Sequence, residues 1–144
     1  MAGYSGTPLV KKLGIKPGFN VAFVGSPVGY ASELDLPADV IINSRSGKPL
    51  DFVQLFVKSE KDLTTKFSEY ARRLNPSGML WVSWPKKSSG VSTDLSENVV
   101  RDIGLAAGLV DVKICAVNEV WSGLKFVFRL RDRAKVNAYK HSDQ

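Results

Sequence analysis

Lysine and serine crowd one short stretch of this 144-residue chain. Lys86, Lys87, Ser88, Ser89 and Gly90 follow the apolar run Met-Leu-Trp-Val-Ser-Trp and precede a helical pattern. Two ammonium groups, two hydroxyls and a glycine at the end of a strand suit an anion, because the helix that follows offers free N–H groups. The stretch does not have the Gly-x-x-x-x-Gly-Lys-Ser/Thr spacing of a phosphate loop. A solvated loop with two surface lysines is the competing reading. Ser26, Arg45 and Lys58 fall at the ends of other apolar runs. If those ends share one edge of a sheet, the six residues Ser26, Arg45, Lys58, Lys86, Lys87 and Ser88 form a basic pocket for an acidic ligand. If they do not, each merely solvates a loop end.

Groups for bond-breaking chemistry are sparse, and no catalytic residue is assigned. The one histidine, His141, sits in a polar tail, which leaves Ser-His-Asp and Cys-His arrangements without a placed base. Cys115 lies in an apolar run and reads as a small buried side chain. No Cys/His cluster has metal-ligand spacing. Asp94 and Glu119 remain as carboxylates that could take a proton. Trp121, in Trp-Ser-Gly, either covers a pocket or anchors packing against the last helix.

Composition narrows the class further. An apolar fraction of 44% and a mean hydropathy of -0.07 are ordinary for a globular domain, and this length buries roughly 70% of the unfolded surface. No apolar run approaches the ~18 residues that cross a membrane, and the N-terminus lacks a signal-peptide pattern, so a cytoplasmic location is expected. The net charge is +6. Residues 1–16 carry Lys11, Lys12 and Lys16 without an acid, and residues 129–144 carry five bases against two acids. The 12 bases and 12 acids between them cancel. The excess therefore reads as two solvated ends, with only Tyr139 as an aromatic in the tail, and nucleic acid is not expected as a partner.

The elements that must hold these residues can be read in order. Thr7-Pro8 opens a short helix that Gly14 stops. Residues 20–25 form a strand apolar on both faces, as in a parallel sheet, and residues 31–36 leave room for a turn or two of helix. Strands follow at 39–43 and 52–57, separated by about seven residues, too few for an ordinary parallel crossover. The two strands are therefore either antiparallel neighbours or joined by an extended connector, and the orientation of 39–43 stays open. Ser59 and Asp62 mark the start of a long helix, residues 79–84 a fourth strand, and Ser92 or Thr93 the cap of a helix buried through Leu95, Val99, Ile103 and Ala107. Residues 110–117 and 124–130 alternate as an antiparallel pair joined by 118–123. The whole is one α/β domain over 1–131, Rossmann-like, with a mixed sheet and a C-terminal antiparallel hairpin; residues 132–144 are a basic tail, expected to be mobile.

This order, with the turn Leu74-Asn-Pro-Ser-Gly78 leading into a strand, resembles a shortened class I methyltransferase. That family holds S-adenosylmethionine by an acid at the end of its first strand, followed by Gly-x-Gly-x-Gly, and by an acid ending its second strand. Here the first run is Val21-Ala-Phe-Val-Gly25-Ser-Pro-Val-Gly29. Phe23 stands for the acid and Pro27, which lacks an N–H, for the middle glycine; the second strand ends in Asn43-Ser44-Arg45. The resemblance therefore implies the fold and not the cofactor, and no cofactor is expected. Tyr4-Ser-Gly-Thr-Pro-Leu-Val-Lys-Lys-Leu-Gly-Ile-Lys16, Trp84-Pro-Lys-Lys87 and Trp121-Ser-Gly-Leu-Lys-Phe126 together resemble a small bacterial family of unknown function, which implies no activity.

From the residues, the first expectation is a non-catalytic, methyltransferase-like scaffold that binds a protein partner. The alternative is a module that binds a small anionic ligand, a nucleotide or phosphorylated metabolite, at the strand ends. Methyl transfer ranks third.

Overall fold

A computed structural model describes residues 7–43 and 47–136. Its centre is a six-stranded sheet in the order β2-β1-β3-β4-β6-β5, with β1 at Asn20–Val24, β2 at Ile41–Ile42, β3 at Leu50–Phe56, β4 at Leu74–Pro85, β5 at Leu109–Ala116 and β6 at Trp121–Phe128. The first four in sequence are parallel, and β6 runs antiparallel between β4 and β5. The expected Rossmann-like, methyltransferase-like sheet with its closing hairpin is the architecture found.

Alternation along the central strands divides the core in two. Val53, Leu55, Leu80, Val82, Leu124 and Phe126 face Leu63 and Phe67 of α3 (Glu60–Arg72) and Val100 of α4 (Glu97–Ala106). Phe52, Phe56 and Trp81 face the other way, toward Leu13 of α1 (Leu9–Leu13) and Tyr30 of α2 (Tyr30–Glu33). The Trp81 indole N–H donates to the Leu13 carbonyl (2.9 Å), which ties α1 to the middle of the sheet.

Local chemistry explains where the boundaries fall. Ser59 caps α3 by accepting from the Asp62 N–H, as the Ser-x-x-Asp spacing predicts. Gly14 takes a left-handed φ of +88° and closes α1, but Pro8 rather than Thr7 precedes the helix, with no side-chain cap. The cap of α4 is Ser96, which accepts from the Val99 N–H. Thr93 instead donates its hydroxyl to the Lys58 carbonyl (2.6 Å), and the Asp94 carboxylate accepts from the Glu60 N–H (2.8 Å). Both residues latch the segment before α4 onto the end of β3 and the start of α3. Leu95, Val99 and Ile103 pack on the core as expected, Val100 and Gly104 are the fully enclosed positions of α4, and Ala107 is exposed.

The awkward connector resolves as an extended crossing. β2 and β3 lie on opposite sides of β1, and β2 pairs only with the first residues of β1. Its two isoleucines are exposed, and Asp39 sits at φ +62°, so the strand expected over 39–43 shortens to Ile41–Ile42. Residues 74–78 do not end α3 in a free turn. They start β4, paired at Leu50↔Leu74, with a bulge before Phe52↔Met79; Asn75 donates to Asp51 (3.1 Å) there. Likewise, Trp121–Gly123 open β6 rather than lying in the connection, which is closed by the Asn118 side chain accepting from the N–H groups of Val120 and Trp121. Past Arg131 helical turns continue to Val136, which packs against the α3–α4 core; the rest of the tail, with His141, lies outside the described residues.

Candidate functional site

The chain leaves β1 toward β2 on one side, while β3 lies on the other. This switch opens a crevice beyond the carboxyl ends of β1 and β3, where ligands of open α/β sheets are held. A cleft of about 500 Å³ occupies that place, lined by Gly25 and Pro27 after β1, Phe56 to Ser59 after β3, Asp62 of α3 and Trp121 at the start of β6. Gly25 is required where it stands: its φ is +70°, and a Cβ there would lie 2.9 Å from the Phe56 carbonyl oxygen. The ends of β1 and β3 therefore approach as closely as two backbones can.

The walls of the cleft are aromatic. Phe56 packs edge-on against Trp121 (centroids 5.1 Å) and against Tyr30 (4.8 Å), and Tyr30 continues to Phe23 (5.8 Å). Trp121 thus anchors packing on the α1–α2 side of the sheet, facing away from the last helix. Behind this wall runs a buried polar chain. The Tyr30 hydroxyl donates to Gln54 Oε1 (2.9 Å), and the Gln54 amide donates to Ser83 Oγ (3.0 Å). Gln54 and Ser83 are fully buried, and every link is a hydrogen bond, as buried polar groups require. Burial pushes the Tyr30 phenol well above its ordinary pKa, more than the Gln54 hydrogen bond lowers it, with Cys115 adding a small upward push.

The residues expected to bind a ligand separate. Lys58 lines the cleft, and Ser26 lies between two residues that do. Lys86, Lys87 and Ser88 lie past the end of β4, beside the hairpin. The Lys86 N–H donates to the Val120 carbonyl (2.7 Å), and the Lys86 carbonyl accepts from the Ser89 hydroxyl (2.6 Å). Residues 87–89 form a single 3₁₀ turn closed by Gly90 at φ +74°, with Lys87 and Ser88 exposed. None of these three residues lines the cleft. Arg45 lies outside the described residues. Sequence reading missed Phe56 as a wall of the site; a large aromatic ending a strand apolar on both faces was the available signal.

The three candidate groups for proton transfer lie apart from the cleft lining. Asp94 is engaged at α3, Glu119 is exposed at the hairpin tip, and Cys115 is half-buried, its thiol pushed up chiefly by desolvation despite nearby Lys113 and Lys12. Among the described residues no group of three or more His, Cys, Asp or Glu side chains is placed to hold a metal.

The groups that would hold S-adenosylmethionine in the related fold do not fit it here. Phe23 is buried between Tyr30 and Phe52. The Asn43 side-chain oxygen accepts from the Phe23 N–H (3.0 Å), with Asn43 held at φ +50°. Phe23 is thus taken up by packing and the exposed Asn43 by a hydrogen bond to the backbone, and the helix after the first turn has only four residues.

No family model matches the chain, and no curated protein sequence does. Solved structures do. A SAM-dependent methyltransferase from Aquifex aeolicus superposes with a TM-score of 0.62 at 18% identity, covering 82% of this chain and 86% of that one. A ribosomal protein L11 methylase from Lactobacillus delbrueckii subsp. bulgaricus gives 0.58 at 12% identity over 84% and 75% of the two chains. A magnesium protoporphyrin IX methyltransferase from Synechocystis PCC 6803 gives 0.57 at 14% identity over 84% and 74%. At these identities the likeness establishes the methyltransferase-like fold alone.

Proposed function

We propose that this protein is a non-catalytic module on a methyltransferase-like sheet and binds a small acidic molecule, a nucleotide or phosphorylated metabolite, in the cleft between β1 and β3. The observation that carries the reading is the fate of the two cofactor positions. Phe23 is buried among aromatics and the exposed Asn43 is tied to the Phe23 backbone, while the cleft at the switch point holds an aromatic wall, Lys58 and Asp62. Phe56 and Trp121, meeting edge-on, offer an apolar corner for a ring, and Lys58 offers a charge for a phosphate or carboxylate. Such sites are concave and mostly apolar, with few polar groups fixing orientation.

Calorimetric titration with S-adenosylmethionine should give no binding heat. A panel of nucleotides and sugar phosphates should contain ligands that raise the melting temperature, and Lys58→Ala should weaken them by about tenfold, the worth of one charge-assisted contact. Lys58 is exposed, so the variant should fold normally. Tight S-adenosylmethionine binding, or a panel without a single hit, would overturn the reading.

A second reading, binding of a protein partner, is favoured by the β2 edge. Ile41 and Ile42 are 53% and 42% exposed. Beside them a cavity of about 420 Å³ opens along β1 from Ala22 to Gly25, with Asn43, Leu50, Tyr70 and Arg73 as its other walls. An apolar edge left unpaired among the described residues, next to such a gap, is where a partner's strand or loop would lie.

A further inference from the structure

On the α1 side of the β5–β6 hairpin, four lysines meet. Lys113 and Lys125 are directly paired across the two strands. Like charges in that register repel. The register arises from a bulge between Asp111 and Lys113, where two steps on β5 oppose one on β6. Bulges re-aim side chains, and the effect here is to sort charge. Asp111 turns to the α4 side and pairs with Arg101 (2.9 Å). Lys113 turns to the α1 side, where its ammonium donates to the Lys12 carbonyl (3.0 Å). The Lys125 ammonium lies 4.0 Å from where a Cβ on Gly14 would be. Lys16 is close enough, with Lys113, to oppose the charge on Lys125, whose pKa is lowered first by desolvation and then by these two neighbours.

Among the described residues none of the four lysines has an ion-pair partner. The fold has thus gathered positive charge, with Asp111 turned to the opposite face and paired there with Arg101. Lys125 projects from the same side of β6 as Trp121, four residues away, or about 13 Å along the strand. The patch is therefore separate from the switch-point cleft.

We infer that this face binds the phosphate backbone of nucleic acid without regard to sequence, Lys12, Lys16, Lys113 and Lys125 each neutralising a phosphate. The charges are spread over a helix end and two strands, matching a line of phosphates better than a single anion. Among the described residues no aromatic side chain is exposed beside them to read or stack a base, so contact is assigned to the backbone. A membrane surface fits less well, because interfacial binding also needs an apolar face. Two apolar neighbours are exposed, Val112 at the bulge and Ile114, which pairs with Leu124 and points to the α4 side; two such residues are less than an interfacial face.

Anisotropy of labelled random-sequence duplex DNA and single-stranded RNA, with the full chain across a salt series, tests this inference. Four phosphates predict a slope of log K against log salt of about -3.6 for the duplex and about -2.8 for the single strand. Replacing all four lysines by glutamine should weaken binding at least tenfold and flatten the slope, while Lys61→Gln, exposed on α3, leaves both unchanged. Should the quadruple variant not fold, Lys113→Gln and Lys125→Gln singly should each flatten the slope by about one phosphate. Lys125→Gln should also raise the melting temperature at low salt, since it removes a repelled charge. The inference falls if neither nucleic acid binds at low salt, if the glutamine variants bind as the parent does, or if deletion of residues 137–144 alone abolishes binding. Equal binding of phosphatidylserine vesicles by parent and quadruple variant, with no nucleic-acid binding, overturns it as well.

Discussion

Tyr30 shows how a polar side chain becomes structural in this molecule. Its ring belongs to the aromatic wall, and its hydroxyl supplies Gln54 with the hydrogen bond that lets an amide sit fully buried in β3. Tyr30→Phe keeps the packing and leaves Gln54 Oε1 unpaired, a cost of about 1–3 kcal/mol that denaturant unfolding at pH 7 would measure. The pH dependence has a definite sign. The phenol pKa is raised by burial in the folded state, so the unfolded chain ionises first, near pH 10. Stability due to the neutral phenol is full below that pH and declines as pH rises above it. Tyr30→Phe should remove this alkaline decline while being less stable at neutral pH. A parent whose stability is flat between pH 9 and 11 would contradict the burial of this hydroxyl. None of this was legible in the sequence, where Tyr30 follows Pro-Val-Gly in what reads as a loop.

Elements defined by their own residues were legible; those defined by what they meet were not. The cap on α3 depends on Ser59 and Asp62 alone, and its spacing announced it. The sequence pointed to Ser92 or Thr93 as the cap on α4, and the structure uses Ser96. Ser96 has the role because Thr93 and Asp94 are committed to β3 and α3, contacts separated by some 35 residues. β2 is short because only Ile41 and Ile42 meet the start of β1. The packing of α4 on β6 is also hidden in sequence, for it turns on Gly104. A Cβ there would run into the Phe126 ring, which is itself fixed edge-on against Phe67 (5.1 Å). Gly104→Ala improves helix propensity by about 1 kcal/mol, but the overpacking costs more, about 1–3 kcal/mol. A net loss and a melting temperature lower by a few degrees are expected, in contrast to a gain at Gly108→Ala only if strain at φ +95° were absent. A more stable Gly104→Ala would mean that α4 can move away from β6.

At the scale of the whole molecule, the parallel strands declared themselves by runs apolar on both faces, while the side on which each strand joined the sheet did not. That choice is decisive for the site, because placing β2 and β3 on opposite sides of β1 creates the switch-point cleft. Charge behaved the same way. Counting by segment located the excess at the chain ends, yet folding carries Lys12 and Lys16 to Lys113 and Lys125. The sheet order also ranks local stability. β3 and β4 are central and covered by helices on both faces. β2 and β5 are edges, and β5 leaves Val112 and Ile114 54% and 50% exposed. Opening of an edge strand breaks one row of pairing and few apolar contacts, whereas releasing β3 or β4 requires unfolding the core. Native-state hydrogen exchange should therefore find the slowest amides in residues 52–56 and 80–84, with exchange limited by global unfolding. Amides of residues 41–43 and 112–116 should exchange faster by orders of magnitude. The contrast also serves as a probe of occupancy. Added duplex DNA should slow exchange in the lysine-bearing strands and leave 41–43 unchanged, whereas a partner on the β2 edge would protect 41–43 alone. Uniform protection across all six strands in the free protein would contradict the edge assignments, since it would require β2 and β5 to be covered by something other than solvent.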